Sequence, residues 1–95
     1  MKNKILQWAK DKGILDKATP EAQMLKTVEE VGGLANALGK KDKAEIIDSI
    51  GDIAVTLIIQ AELNGLDYDE CVEAAYNVIA KRKGKMINGI FVKEQ

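Results

Sequence analysis

The residues of this sequence best suited to chemistry are two groups of carboxylates. Asp48 and Asp52 stand four positions apart with Ser49 between them, and Glu29 and Glu30 are adjacent, with Lys26 one turn before and Gly33 one turn after. On a helix, positions i and i+4 lie within about 40° of each other, so Asp48 and Asp52 share a stripe. Like charges at that spacing destabilise a helix unless something positive lies between them. Two antiparallel helices that each offer carboxylates near mid-length can share a divalent cation across their groove. The competing reading is a pair of solvated acidic faces. It is strongest for Glu29 and weakest for Asp52, whose stripe continues into Val55 and Ile59. With no His and a single cysteine, Cys71, the chain offers neither a Cys/His zinc cluster nor an intramolecular disulfide. A metal held by carboxylates points to Mg²⁺, with Mn²⁺ as the alternative.

The elements that must position these acids are clearly punctuated. Thr19 followed by Pro20, the only proline, reads as an N-cap with proline at the first helical position. The helix they open is expected to run to Leu38, with Gly39 taking the left-handed position after it. Asp42 and Glu45 form a D-x-x-E capping box that opens the next helix, ending at Asn64-Gly65. Asp67 and Glu70 repeat the pattern for a last helix stopping at Lys83-Gly84. A shorter amphipathic helix, about Lys2 to Lys12, precedes these, and Gly13 ends it. After them, Asn88-Gly89 between short β-prone stretches signals a small hairpin or extended tail. The prediction is one all-α domain over residues 1–95, four helices and a tail.

Helical phase also predicts a partner. The helix opened by Asp42 has a broad apolar face of Ile46, Ile47, Ile50, Ile53, Ala54, Leu57, Ile58 and Ala61. Its opposite side is polar in the first half but becomes Val55, Thr56 and Ile59 in the second. A helix apolar all round must be covered all round, and four short helices hardly supply that cover. A chain of this size buries only roughly 60–65% of its unfolded surface. Homo-oligomerisation through this helix is therefore expected. The net charge of −1 gives no basic nucleic-acid surface. No apolar run reaches about 18 residues and the start lacks a signal-peptide core, so the expectation is a cytoplasmic chain with no membrane segment.

The stretch Lys26 to Leu38 (KTVEEVGGLANAL) and the stretch Ile46 to Ile53 (IIDSIGDI) resemble the MazG-like nucleotide pyrophosphohydrolases, above all the short versions carried by bacteriophages. Trp8-Ala-Lys, Ala75-Tyr-Asn and Arg82-Lys-Gly-Lys-Met with its Asn-Gly-Ile-Phe-Val-Lys tail extend the resemblance almost end to end. The family pattern is EExxE followed by ExxD. The resemblance implies an all-α dimer or tetramer that uses Mg²⁺ to split a nucleoside triphosphate between its α- and β-phosphates. By position, Glu29, Glu30 and Asp52 match motif acids, whereas Gly33 and Ser49 stand where the pattern has carboxylates. Asp48 offers a partial replacement for the acid absent at 49. Gly33 follows Gly32 inside a helix, which costs about 1 kcal/mol relative to alanine.

On this basis Glu30 and Asp52 are the expected metal ligands, with Asp48 assisting and Glu29 either a ligand or the general base. Lys26, Trp8, Asn77 and Arg82 are the expected substrate contacts. Trp8 can stack on a base or serve as core. Arg82 falls on the apolar stripe of the last helix, as a salt-bridge partner or a phosphate contact, and Asn77 matches a polar substrate-site residue of the family. Lys81 reads as a solvated cation. Three functions compete: an active pyrophosphohydrolase, a non-catalytic member that binds nucleotide or protein, and a purely structural helical oligomer.

Overall fold

The structure is a computed structural model that describes residues 1–94. Its order is α1 (Lys2–Asp11), α2 (Ile14–Lys17), α3 (Pro20–Lys40), α4 (Lys43–Leu63), α5 (Tyr68–Ile79), β1 (Gly84–Ile87) and β2 (Ile90–Lys93). The four longer helices are those expected from the sequence. The single-turn α2 is an addition: it follows Gly13, whose φ of 77° reverses the chain, and is too short to carry a periodic pattern.

Side-chain caps start the three later helices. Thr19 Oγ1, Asp42 Oδ1 and Asp67 Oδ2 accept hydrogen bonds from the backbone N–H of Ala22, Glu45 and Glu70, each at 3.1 Å. The reciprocal half of the capping box is not used at Asp42. Its N–H donates to Ala37 O at 3.2 Å, and the Glu45 carboxylate pairs instead with Lys40 Nζ at 3.5 Å.

Two helix ends differ from expectation. Helix α3 passes through Gly39, and Lys41 takes the left-handed conformation at φ 56°. Its N–H reaches Leu38 O while that of Asp42 reaches Ala37 O, closing the last turn. Helix α5 ends at Ile79 rather than at Lys83. The run Lys81-Arg82-Lys83 adds repulsion and no buried side chain, so the backbone turns out of the helix there. Arg82 accordingly lies beyond the helix and does not extend its apolar stripe, and Lys81 forms no helical pair with Asn77.

The centre of the molecule is the antiparallel pair α3 and α4. Gln23 and Thr27 on α3 meet Thr56 on α4: Gln23 Nε2 donates to Thr56 O at 3.0 Å, and Thr27 Oγ1 donates to Thr56 Oγ1 at 3.1 Å. Thr56 Oγ1 in turn donates to Ile53 O at 2.7 Å. These three polar side chains are buried with Ile58, Ile59 and Ala61, and no buried side-chain polar atom among the described residues lacks a partner. Ala9 brings α1 against α4 with no exposed surface of its own.

Within one chain the apolar face of α4 is covered only in part. Ile58 and Ala61 are buried and Ile46, Ile53 and Ala54 are half-buried, but Ile47, Ile50 and Leu57 are exposed. The side bearing Thr56 and Ile59 is covered as well, because α3 brings Gln23 and Thr27 to it. From Asp69 to Glu94 every residue is exposed.

The tail is an antiparallel hairpin pairing Gly84 with Lys93 and Ile87 with Ile90. Asn88 and Gly89 both have positive φ, 51° and 80°, as a two-residue hairpin turn with the twist of its strands requires. A Cβ at Gly84 would collide with the Val92 carbonyl oxygen and lie 2.6 Å from the Phe91 ring, so only glycine fits there.

Candidate functional site

Antiparallel packing carries the sequence acids into register. Beyond the Gln23–Thr27–Thr56 layer, Glu30 on α3 and Asp52 on α4 line one cleft of about 230 Å³. Trp8 from α1 and Lys26 stand at the same cleft, and Ile14, Val55 and Ile59 form its apolar part. Both carboxylates are half-buried, and neither takes part in an ion pair among the described residues. Half-buried, uncompensated carboxylates on facing helices are a ready place for a cation.

The next layer outward is neutral. The position a Cβ would take on Gly33 lies 3.9 Å from Ser49 Oγ, with no other atom outside its own helix backbone within 4 Å. The two positions where the family pattern has acids and this chain does not therefore face each other. That pairing was not legible in the sequence, because it depends on the register of α3 against α4.

The other expected site residues are placed differently. Glu29 is exposed and does not line the cleft; its carboxylate meets the Nζ of Lys26, which does, at 3.6 Å. Asp48 is exposed and does not line the cleft. Asn77, on α5, and Arg82, in the turn after it, are exposed and also outside the cleft. Trp8 is 49% exposed, at the cleft mouth rather than in the core. Gln23 was not singled out from the sequence as a site residue, yet it lines the inner end of the cleft.

Among the described residues no group of three or more His, Cys, Asp or Glu side chains converges as a metal cage. Mg²⁺ does not require one: it is usually held by one or two carboxylates, with substrate phosphates and water completing its octahedron. Glu30 and Asp52 fit that donor set.

Fold and cleft together define an all-α domain whose central antiparallel helix pair holds a carboxylate cleft beside an aromatic side chain. Residues 18–87 match the family model described as the MazG nucleotide pyrophosphohydrolase domain, and the chain belongs to that family. It is also 40% identical, over 63 residues, to a protein of Haemophilus phage HP1 described as an uncharacterized 18.2 kDa protein in the rep-hol intergenic region. That match covers 66% of this chain and 39% of the phage protein. No solved structure matches the chain. No helix among the described residues is long and apolar enough to cross a membrane.

Proposed function

We propose that this chain is a Mg²⁺-dependent nucleoside triphosphate pyrophosphohydrolase releasing a nucleoside monophosphate and pyrophosphate. The observation that carries this reading is the pair Glu30 and Asp52, half-buried on facing helices and without cationic partners, in a domain of this family. Glu30 and Asp52 hold the metal, for which Mn²⁺ can substitute. When bound, the metal neutralises phosphate charge and favours water attack. Trp8 gives the nucleoside an aromatic face at the cleft mouth. Lys26 turns from Glu29 to the phosphates, and Glu29, released from that pair, accepts a proton from the attacking water. The oxygen of that water bonds to the α-phosphorus, and the bond from that phosphorus to the bridging oxygen breaks. Pyrophosphate leaves with the electron pair. The same reading includes a homodimer or homotetramer in the cytoplasm of a phage-infected bacterial cell, with neither nucleic acid nor membrane as partner.

The test is pyrophosphate release from a panel of ribo- and deoxyribonucleoside triphosphates with Mg²⁺ or Mn²⁺. Turnover is expected, falling by at least about a hundredfold in Glu30→Gln and in Asp52→Asn. The neutral Gly33–Ser49 layer favours a second reading, a binding module that has lost its chemistry. Measurable nucleotide affinity without turnover would decide for it.

A further inference from the structure

The inner end of the cleft holds a polar group that the proposed hydrolysis does not use. Gln23 is only 6% exposed, and it lines the cleft. Chemistry fixes which way its amide points. Nε2 donates to Thr56 O at 3.0 Å, and a backbone carbonyl can only accept, so the nitrogen faces Thr56 and Oε1 faces the other way. No donor among the described residues reaches Oε1. The nearby hydroxyls do not turn to it: Thr27 Oγ1 donates to Thr56 Oγ1, and Thr56 Oγ1 to Ile53 O. Yet no buried side-chain polar atom among the described residues lacks a partner. Oε1 is therefore not sealed in the core but opens onto the cleft, a strong acceptor held in one orientation by its own amide nitrogen.

Its place relative to the acids indicates which part of a ligand it meets. Gln23 and Glu30 are seven residues apart on α3, which puts them on one face and about 10 Å apart along the axis. Helix carbonyls point toward the C-terminus, so Thr56 O draws the amide away from Asp52. A metal on Glu30 and Asp52, with its phosphates, thus occupies one end of the cleft and Gln23 the other. Between them stand the apolar Ile14, Val55 and Ile59, with the Trp8 ring at the mouth. Such walls suit a flat heteroaromatic ring, and the edge that this ring turns inward must offer Oε1 a donor. A sugar hydroxyl is a donor too, but the sugar lies next to the phosphates and would leave the apolar walls uncovered.

We propose that Gln23 reads the base: its Oε1 accepts a hydrogen bond from an N–H on the pairing edge of a nucleoside triphosphate whose phosphates lie at Glu30 and Asp52. The inference rests on the nucleotide binding proposed above, not on turnover. A ligand that turns no N–H inward leaves a desolvated acceptor without a partner, and a site built around such a bond discriminates strongly against it.

The test is the affinity of the whole chain, with Mg²⁺, for the α,β-methylene triphosphates of the four common deoxynucleosides and for inorganic tripolyphosphate. The nucleoside analogue that binds most tightly is compared with its counterpart carrying methyl groups in place of the pairing-edge N–H hydrogens. The wild-type chain is expected to bind the methylated form at least about tenfold more weakly. Gln23→Leu, close in volume but without the acceptor, should bind the parent analogue at least about tenfold more weakly and tripolyphosphate as the wild type does. Its gap between parent and methylated forms should shrink to about twofold or less, as in any cycle that removes both partners of one bond. A gap that persists in Gln23→Leu would mark the methyl effect as steric and overturn the assignment. Weakened tripolyphosphate binding would overturn it as well, since Gln23 would then shape the cleft rather than read the base. The wild-type comparison does not depend on the folding of the variant, and equal binding of the two forms there would sink the proposal by itself. Turnover without that difference removes the base contact and leaves the hydrolase. Base-dependent binding without turnover removes the hydrolase and leaves the base contact. Neither survives if the chain neither binds nor turns over any nucleoside triphosphate.

Discussion

The α3–α4 pair and the α5–hairpin segment are built by opposite rules. Between α3 and α4, Gln23, Thr27 and Thr56 satisfy one another and the backbone, and Ile58 and Ile59 are almost completely buried. Along α5 and the hairpin nothing is buried, although Val72, Tyr76, Val78, Ile79 and Phe91 are all large and apolar. The first region has its core within one chain, although it too leaves Leu25, Val28, Ile47 and Ile50 exposed, and the stability of that core should be a property of the monomer. The second carries a comparable apolar inventory with no cover, so what it contributes should depend on what it meets.

Truncations in the two regions should break or sharpen that contrast. The largest effect is expected from Ile59→Ala, which removes a residue 4% exposed and should cost about 3 kcal/mol. Val78→Ala, at 55% exposed, should cost less than about 0.5 kcal/mol in a dissociated chain. Its cost should grow with protein concentration if α5 is covered in an oligomer. Urea titrations at two concentrations check both; equal costs at high dilution would remove the distinction.

Gly33 comes next. Because a Cβ there meets only Ser49 Oγ, at 3.9 Å, Gly33→Ala should stabilise the chain by about 1 kcal/mol, read as a higher unfolding midpoint. Gly33→Glu directs a carboxylate at the same seam, one turn from Glu30. It is expected to raise Mg²⁺ affinity, measured by calorimetry, together with turnover. A neutral or harmful result would move the metal away from this stripe.

The smallest effect concerns the tether that holds the second region to α1, which itself packs on α4. Lys2 Nζ bonds the Asp67 carboxylate and lies 3.0 Å from Asp69 Oδ2, joining α1 to the start of α5. The hydrogen bond from Lys2, aided by the Glu70 N–H, holds the Asp67 carboxyl below its ordinary value, and Asp67, then Asp69, holds the Lys2 ammonium above its own. A depressed carboxyl stabilises the fold above its unfolded-state value and loses that contribution as pH falls through the folded one. A raised ammonium stabilises below its unfolded-state value and loses the contribution as pH rises through the folded one. Protection of α5 amides from hydrogen exchange should therefore be greatest near neutrality and decline at both extremes. Asp67→Asn, which keeps a capping side chain, should flatten the acidic side of that profile.

Much of the architecture was legible because it is written in local chemistry. Thr19-Pro20, Asp42 and Asp67 start helices where their side chains cap, and Asn88-Gly89 makes the hairpin turn. The end of α5 was not legible, since Lys81 to Lys83 are good helix formers, and it is their mutual repulsion with nothing to pack against that releases them. Glu30 and Asp52 could be picked out by phase and family pattern. Their meeting in one cleft, and that of Gly33 with Ser49, needed the register of two helices, which the Gln23–Thr27–Thr56 layer helps to set. On the apolar face of α4 given by phase, Ile58 and Ala61 are buried within the chain and Ile47 and Ile50 are not; that Thr56 is also an inner residue was not legible, because it depends on α3 bringing Gln23 and Thr27 to meet it.

The glycine beneath Phe91 bears on the order of events in assembly. With the ring seated over Gly84 and the turn set by Asn88 and Gly89, every contact within the hairpin is local in sequence, and hairpins of this kind close in about 1–10 μs. Encounters between chains at cellular concentrations are far slower, so the ribbon opens and closes many times between encounters. Were a neighbour to bind this ribbon, it would select the closed form, and the rate should follow diffusion, electrostatic attraction and salt, scaled by the closed fraction, rather than a slow folding step.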